Sequence, residues 1–147
     1  MNDDNFKVSV LSPEMIKNLE AKRSWVYGHY SENGEELYQS LEGKLNLLNA
    51  IIESKWIDKS ETLKLQCLGI TFGDALVQHL EGLEWIEYSD EHGTDPALRF
   101  HETDFFIFPQ TMISKCIEDD IEVNIYSLFE DSVKAILGHF ESIYKPV

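Results

Sequence analysis

The chain has 147 residues, of which 43% are hydrophobic and 27% charged, and its formal net charge at pH 7 is −15. This size and balance are typical of one folded soluble domain, and no apolar run approaches the roughly 20 residues that a membrane span requires. The acidic charge argues against direct binding to nucleic acid or to anionic membranes, because phosphate contacts need lysine and arginine.

Three amphipathic helices are predicted in the first half of the chain. Ser12-Pro13-Glu14 has the composition of a helix start, with serine as the cap and proline in the first turn. A second helix is indicated by apolar residues spaced three or four apart between positions 37 and 52. The third helix is expected to follow Ser60 as its cap, and it has the cleanest apolar stripe, from position 65 to position 80.

Two glycines, Gly69 and Gly73, lie on the apolar stripe of this third helix, one turn apart. Each costs about 1 kcal/mol of helix propensity relative to alanine, so we expect a neighbouring backbone or aromatic ring to pack against the bare surface. A phosphate-binding glycine loop is the alternative. It is disfavoured because no strand precedes the glycines and no lysine follows them as that motif requires.

After Gly82 the pattern changes to short strands that are rich in aromatic and branched residues. Strands are predicted at residues 83 to 88, 97 to 101 and 104 to 108. The acidic connection at residues 89 to 96 is long for a hairpin. A final helix is expected to begin near a capping box, Ser127-x-x-Glu130.

These elements predict an α+β fold in which helices pack on one face of a small antiparallel sheet, with about three strands near residues 83 to 108. We interpret residues 1 to 147 as a single globular domain. Residues 1 to 10 are expected to be disordered, as the ends of domains often are.

The negative charge is concentrated in one part of the sequence. Residues 81 to 131 contain 14 acidic residues and two basic ones, Arg99 and Lys115, which gives this segment a net charge of −12. Such a segment permits a basic protein partner, since complementary charge steers association. The alternative is that the acidity serves solubility alone.

A ligand or partner site is predicted around the acidic turn and its flanking strands, at Trp85, Asp90, Glu91, His92, Asp95 and Arg99. The turn offers four side chains of metal-binding type, but it lacks the ligand spacing of a calcium loop, and turn formation alone explains its composition. We therefore predict no metal and no cofactor.

His92 and Arg99 each have an alternative role that the sequence leaves open. His92 with a neighbouring carboxylate would suit a general base, but no nucleophile is marked, and no catalytic residue is predicted. Arg99 is the one lysine or arginine between Lys64 and Lys115. It either forms a structural ion pair, with Asp95 or a strand neighbour, or recognises an anionic ligand.

The two cysteines indicate a reducing compartment. Cys67 and Cys116 are far apart in sequence and both fall in helical patterns, so reduced, buried thiols are predicted rather than a disulfide. The first residues also lack the pattern of a signal peptide. The sequence therefore predicts a cytoplasmic protein.

Several short motifs follow one another between about residues 60 and 130. They are Gly69-x-x-Phe72-Gly73-Asp74, Leu83-Glu84-Trp85, Asp90-Glu91-His92-Gly93-x-Asp95-Pro96-Ala97-Leu98-Arg99 and Phe108-Pro109-x-Thr111-Met112-Ile113-Ser114-Lys115. Together they resemble the bacterial family described as domain of unknown function 3806. The resemblance implies a small bacterial α+β protein and implies no catalytic residues.

Two hypotheses about function follow. The first is a non-enzymatic protein-binding module, in one version an immunity-type protein that neutralises a basic toxin. The second is a small-ligand-binding protein or a hydrolase-like enzyme with a site near Trp85, His92 and Arg99. An enzyme should show a deep pocket with converging polar groups, and a binding module should show a flat or grooved acidic surface.

Overall fold

The structure is a computed structural model that describes residues 6–28, 33–55, 57–101 and 103–144, with residues 140–144 described through their backbone alone. In chain order it contains β1 (Phe6–Ser9), α1 (Pro13–Tyr27), α2 (Gly34–Leu37), α3 (Leu41–Ser54), α4 (Thr62–His79), β2 (Leu83–Asp90), β3 (Gly93–Phe100), β4 (Phe106–Ile107), a 3₁₀ turn (Pro109–Thr111), α5 (Met112–Glu118) and α6 (Ile125–Tyr144). Within these ranges, six helices pack against a four-stranded antiparallel sheet, which confirms the α+β prediction. In the same ranges, no helix combines the length and hydropathy that crossing a bilayer would demand.

The central helix α4 carries the core. It contacts α1, α3, α5, α6, β2 and the 3₁₀ turn, and its side chains Leu65, Leu68, Phe72 and Leu76 are fully buried. Burial of so many large apolar groups on one helix stabilises the fold, since each contributes about 1.5–3 kcal/mol. The apolar stripe predicted from the sequence is therefore the buried stripe of the structure.

Both glycines of that stripe allow the close approach that was predicted. A Cβ on Gly69 would lie 2.3 Å from the carbonyl oxygen of Pro109, and one on Gly73 would lie 2.5 Å from the Trp85 ring. These distances are far below van der Waals contact, so a side chain at either position would push α4 away from its neighbours.

The three strands expected between residues 83 and 108 are confirmed, and β1 adds a fourth strand within residues 1 to 10, which were expected to be disordered. It pairs antiparallel with β2, from Phe6 opposite Asp90 to Ser9 opposite Glu87. The Phe6 ring stacks on Tyr88 with centroids 5.1 Å apart, and this contact anchors a strand of only four residues. So short a segment gives too little alternation to be recognised from sequence. Residues 1 to 5 lie outside the described ranges.

The connection between β2 and β3 is also shorter than expected. The paired register runs from Leu83 opposite Phe100 to Asp90 opposite Gly93, which leaves a two-residue turn of Glu91 and His92. Gly93 follows this turn at φ +124°, a backbone conformation that favours glycine. The strands extend to the turn because the polar residues that flank it can still form ladder hydrogen bonds.

Proline inside β3 does not interrupt that ladder. Pro96 lies opposite Glu87 in β2, while β4 on the other side of β3 pairs only with Leu98 and Arg99. At Pro96 the side of β3 that faces away from β2 is therefore unpaired. A proline, which has no N–H to donate, is tolerated at such a free edge.

Of the three predicted helix caps, one is confirmed. The Ser12 hydroxyl accepts a hydrogen bond from Met15 N at 3.1 Å and caps α1. Ser60 instead binds the Asp58 carboxylate, and the residue preceding α4 is Glu61. α6 begins at Ile125, two residues before the expected capping box, and the Asn124 side chain accepts from Ser127 N at 3.0 Å.

Candidate binding cleft

The predicted site residues at the β2–β3 turn are largely in solvent. Glu91 and His92 have side chains that are 75% and 83% exposed, and His92 Nε2 lies 3.8 Å from the Glu91 carboxylate. Asp90 Oδ1 accepts a hydrogen bond from the His92 backbone N–H at 2.8 Å. These local contacts shape the turn and leave its negative charge facing the solvent.

Arg99 lies far along the hairpin from this turn. It is opposite Glu84 in the register, and its Nη2 is 3.8 Å from Glu84 Oε1, so its ionic contact is with a strand neighbour rather than Asp95. From this pair to the turn the strands extend about 20 Å, at about 3.3 Å per residue. Arg99 and His92 therefore cannot reach the same small ligand.

Trp85 belongs to a buried network centred on Asp74 in α4. Its Nε1 donates to Asp74 Oδ1 at 2.9 Å. Arg23 donates to both carboxylate oxygens, from Nε at 2.7 Å and from Nη2 at 3.0 Å, and the Tyr38 hydroxyl donates to the same carboxylate. The Asp74 side chain is only 11% exposed. A carboxylate with this many donors is satisfied within the fold.

The protonation states fit a structural role for this network. Burial and the nearby negative charge of Asp74 raise the pKa of Tyr38, so its hydroxyl keeps the proton that it donates. Burial opposes the charge of Arg23, but the hydrogen bonds to Asp74 prevail and raise the pKa of the guanidinium. The three side chains therefore join α1, α4 and the segment after α2 through one charge-assisted contact.

A cleft of about 460 Å³ lies between the first half of α1 and the β2–β3 hairpin. We call it the hairpin cleft, and its lining consists of Ser12, Glu14, Met15, Asn18, Lys22, Glu87, Thr94, Asp95, Pro96 and Gln110. Among the described residues it brings three carboxylates together with one ammonium group. Of the six predicted site residues, Asp95 alone lines it.

Glu87 is fixed in this cleft by the start of α1. Its Oε1 accepts a hydrogen bond from Ser12 N at 2.8 Å, and hydrogen bonding from Ser12 lowers the pKa of the Glu87 carboxyl below its ordinary value of 4.5. The carboxylate is therefore ionised at neutral pH and held in one place, while it remains open to solvent.

Lys22 supplies the positive charge of the cleft. Its Nζ donates to the amide oxygen of Gln110 at 2.8 Å, and within the described part of the chain it forms no ion pair. Burial lowers the pKa of Lys22, and the neighbouring Cys67 and Asp95 oppose that effect. The ammonium group thus has a neutral partner although it lies among acidic residues.

Sequence reasoning missed most of the residues that form this cleft, including Glu14, Lys22 and Glu87. Strand alternation offered one usable signal, because it puts Glu87 on the same sheet face as Leu83 and Trp85, the face that packs on the helices. No local pattern brings α1 against the hairpin, since that contact joins segments far apart in sequence.

The described residues also show how the possible metal ligands are arranged and whether the two thiols are paired. In the described ranges, no group of three or more His, Cys, Asp or Glu side chains is arranged to hold a metal ion. Cys67 is buried, Cys116 is half-buried, and both thiols are free. Burial raises the pKa of Cys67, which keeps this thiol protonated and unreactive.

Comparison with known proteins gives a family and a fold. The model of the family described as Domain of unknown function (DUF3806) matches residues 44–129. A solved crystal structure from Bacteroides thetaiotaomicron VPI-5482 is similar with a TM-score of 0.73 and 18% identity, over 91% of this chain and 49% of that one. The chain thus spans about half the length of that protein, and the likeness concerns the fold alone. No curated protein matches.

Proposed function

This chain belongs to the family described as Domain of unknown function (DUF3806), and we propose that it is a non-enzymatic binding protein that takes a basic segment of another protein into the hairpin cleft. The observation that carries this proposal is the set of three carboxylates, Glu14, Glu87 and Asp95, that line one cleft. A lysine or arginine side chain in that cleft would form charge-assisted hydrogen bonds, which are about twice as strong as neutral ones.

The turn of the hairpin extends this charge beyond the cleft. Asp90 and Glu91 are close in sequence to Asp95, and Glu91 is among the most exposed side chains of the region. A field of this kind accelerates the encounter with an oppositely charged partner, whereas the contacts inside the cleft hold the partner once it has arrived. The two parts of the surface thus have separate roles in association.

The chemistry of the lining favours a charged segment over an apolar one. Met15 and Pro96 are the apolar side chains among the described residues of the lining, so a hydrophobic anchor would find little to pack against. The same charge disfavours phosphate-rich nucleic acid. A basic toxin is one version of the partner, and we place the encounter in the cytoplasm, where free thiols such as those of Cys67 and Cys116 persist.

The enzyme alternative would require Trp85, His92 and Arg99 to act on one substrate. Trp85 Nε1 is already used by Asp74, and His92 and Arg99 are separated by most of the hairpin, about 20 Å. This separation argues against a shared catalytic site, so the binding function is the one that we propose.

Acetylated tetralysine amide is a simple probe of the cleft. We expect its affinity, measured by calorimetry, to fall between about 0.1 M and about 1 M salt, because the Debye length shortens from about 10 Å to about 3 Å. Glu87→Gln keeps the size of the side chain and removes its charge. It should weaken binding of the probe several-fold.

Glu53→Gln on α3 is the matched control, because it removes one exposed carboxylate at a distance from the hairpin. Equal affinities of the two variants, or equal binding of tetraglutamate by the unaltered protein, would overturn the proposal. The triple change Asp90→Asn, Glu91→Gln and Asp95→Asn should slow association with a basic protein captured from cell extract several-fold. An unchanged association rate would mean that these acidic residues serve solubility and do not steer a partner.

A further inference from the structure

A second cleft, of about 400 Å³, lies between α1 and α4. We call it the helix cleft, and the described residues that line it are Asn18, Ala21, Lys22, Trp25, Leu63, Lys64 and Cys67. It shares Asn18 and Lys22 with the hairpin cleft, but it contains none of the hairpin residues. Nothing in the binding of a basic segment uses it.

The lining of the helix cleft is mainly apolar. Ala21, Trp25, Leu63 and Cys67 contribute side chains without charge, and Leu63 is 67% exposed at the start of α4. The described lining includes two ammonium groups and no carboxylate. A concave, mostly apolar site of about 300–1,000 Å³ with a few fixed polar groups is the usual form of a small-molecule site.

The two lysines of this cleft differ in what they bind. Lys64 forms an ion pair with Glu61 one helical turn away. Lys22 uses one of the three N–H donors of its ammonium group on the neutral Gln110 oxygen, and in the described ranges it forms no ion pair, although the charge of Asp95 acts on it from the hairpin cleft. In a chain with 27 acidic and 12 basic residues, a half-buried lysine that forms no ion pair keeps N–H donors that an anion can use.

We propose that the helix cleft binds a small amphipathic anion. Its apolar chain or ring would pack against Trp25 and Leu63, and its carboxylate or sulfonate would accept hydrogen bonds from Lys22 Nζ. The position of Lys22 supports this arrangement, since it lines the cleft together with Trp25, Leu63 and Cys67. The site is separate from the acidic carboxylates of the hairpin cleft, and the two proposals can fail independently.

Octanoate, octan-1-ol and octylammonium test the proposal, because they share one apolar chain and differ in the charge of the head group. By calorimetry, octanoate should bind about tenfold or more tightly than octanol, as expected for a hydrogen bond to a charged group. Octylammonium should bind most weakly. Saturation should also shift the indole N–H resonance of Trp25 in NMR spectra.

Lys22→Met removes the charge and keeps an unbranched apolar stem. It should lower the affinity for octanoate to that for octanol and leave octanol binding unchanged, which also shows that the cleft is intact. Lys17→Met is the control on an exposed position of the same helix, and it should change neither affinity.

Ala21→Phe places a ring at the cleft and should abolish binding of both compounds. Equal affinities of the unaltered protein for the three compounds would overturn the proposal, as would octanoate binding that survives both Lys22→Met and Ala21→Phe. Absence of saturable octanoate binding would also overturn it.

Discussion

Asp74 and Glu87 are both acidic residues in the region between α1 and the sheet, and their surroundings differ. Asp74 is nearly buried and accepts hydrogen bonds from Arg23, Tyr38 and Trp85. Glu87 is held by Ser12, through its side chain and its backbone N–H, and it faces an open cleft. A carboxylate that is saturated within the fold cannot be removed without leaving its donors unpaired, whereas one that faces an open cleft keeps acceptor positions for a partner.

The largest effect is expected from Asp74→Ala. It would remove the buried counter-ion of the Arg23 guanidinium, which is only 20% exposed, and leave it the largely exposed carboxylate of Glu20. Removing one partner of a buried ion pair costs about 3–5 kcal/mol, and the hydroxyl of Tyr38 and the indole N–H of Trp85 would lose their acceptor as well. Urea denaturation of the variant should show a loss of this size in the free energy of unfolding.

Asp119→Asn is the control for that measurement, since Asp119 is an exposed carboxylate after α5. It should change the free energy of unfolding by less than about 0.5 kcal/mol, as surface substitutions usually do. If Asp74→Ala is as mild as its control, the proposed contrast between the two carboxylates is wrong.

A smaller effect is expected from Gly73→Ala, which tests how Trp85 is held beside Asp74. The new Cβ would lie 2.5 Å from the Trp85 ring and 3.0 Å from Pro109 Cβ. Such overpacking typically costs about 1–3 kcal/mol. The melting temperature should therefore fall, and the Trp85 indole N–H resonance should move in NMR spectra.

Gly138→Ala in α6 is the matched substitution, because nothing lies within 4 Å of its Cβ position. Both variants gain the helix propensity of alanine, so the packing around Gly73 accounts for their difference. Gly138→Ala should stabilise the protein by about 0.5–1 kcal/mol. A Gly73→Ala protein that melts as high as Gly138→Ala would show that Trp85 can move freely.

The smallest expected effect is the contribution of Glu87 to the pH dependence of the free energy of unfolding. Because its folded pKa lies below the ordinary value of 4.5, Glu87 contributes stability above that pH and loses the contribution as the pH falls through the folded pKa. The stability difference between the parent protein and Glu87→Gln should therefore shrink on acidification below 4.5. A difference that is constant with pH would mean that Ser12 does not favour the ionised carboxylate.

The sequence predicted those parts of the fold that local periodicity determines. The stripe of α4 with Gly69 and Gly73, the Ser12 cap and the strands of the hairpin all follow from spacing or composition. Strand β1 did not, because four residues give too short an alternation and its partner lies some 80 positions away. The length of the β2–β3 turn was predicted wrongly, because its polar residues and Pro96 suggested a loop. Free strand edges accept such residues.

The candidate site was predictable only in part, because contacts between distant segments leave no local pattern in the sequence. The charge of the segment from 81 to 131 was visible in the sequence, and Asp95 was identified from it. The cleft requires α1 to lie against the hairpin, a contact that no local pattern contains. Arg23 and Asp74 illustrate the limit, since they are 51 positions apart and only the folded chain makes them a pair.

The position of Lys22 in both clefts has a thermodynamic consequence. An anion bound to its ammonium group in the helix cleft would cancel the positive charge that the hairpin cleft presents beside Glu14, Glu87 and Asp95. Occupancy of one cleft would then raise the affinity of the other. Linkage makes this coupling reciprocal, so a basic partner in the hairpin cleft would tighten anion binding by the same factor. Through one side chain on α1, a metabolite-sized anion would become a positive effector of protein recognition.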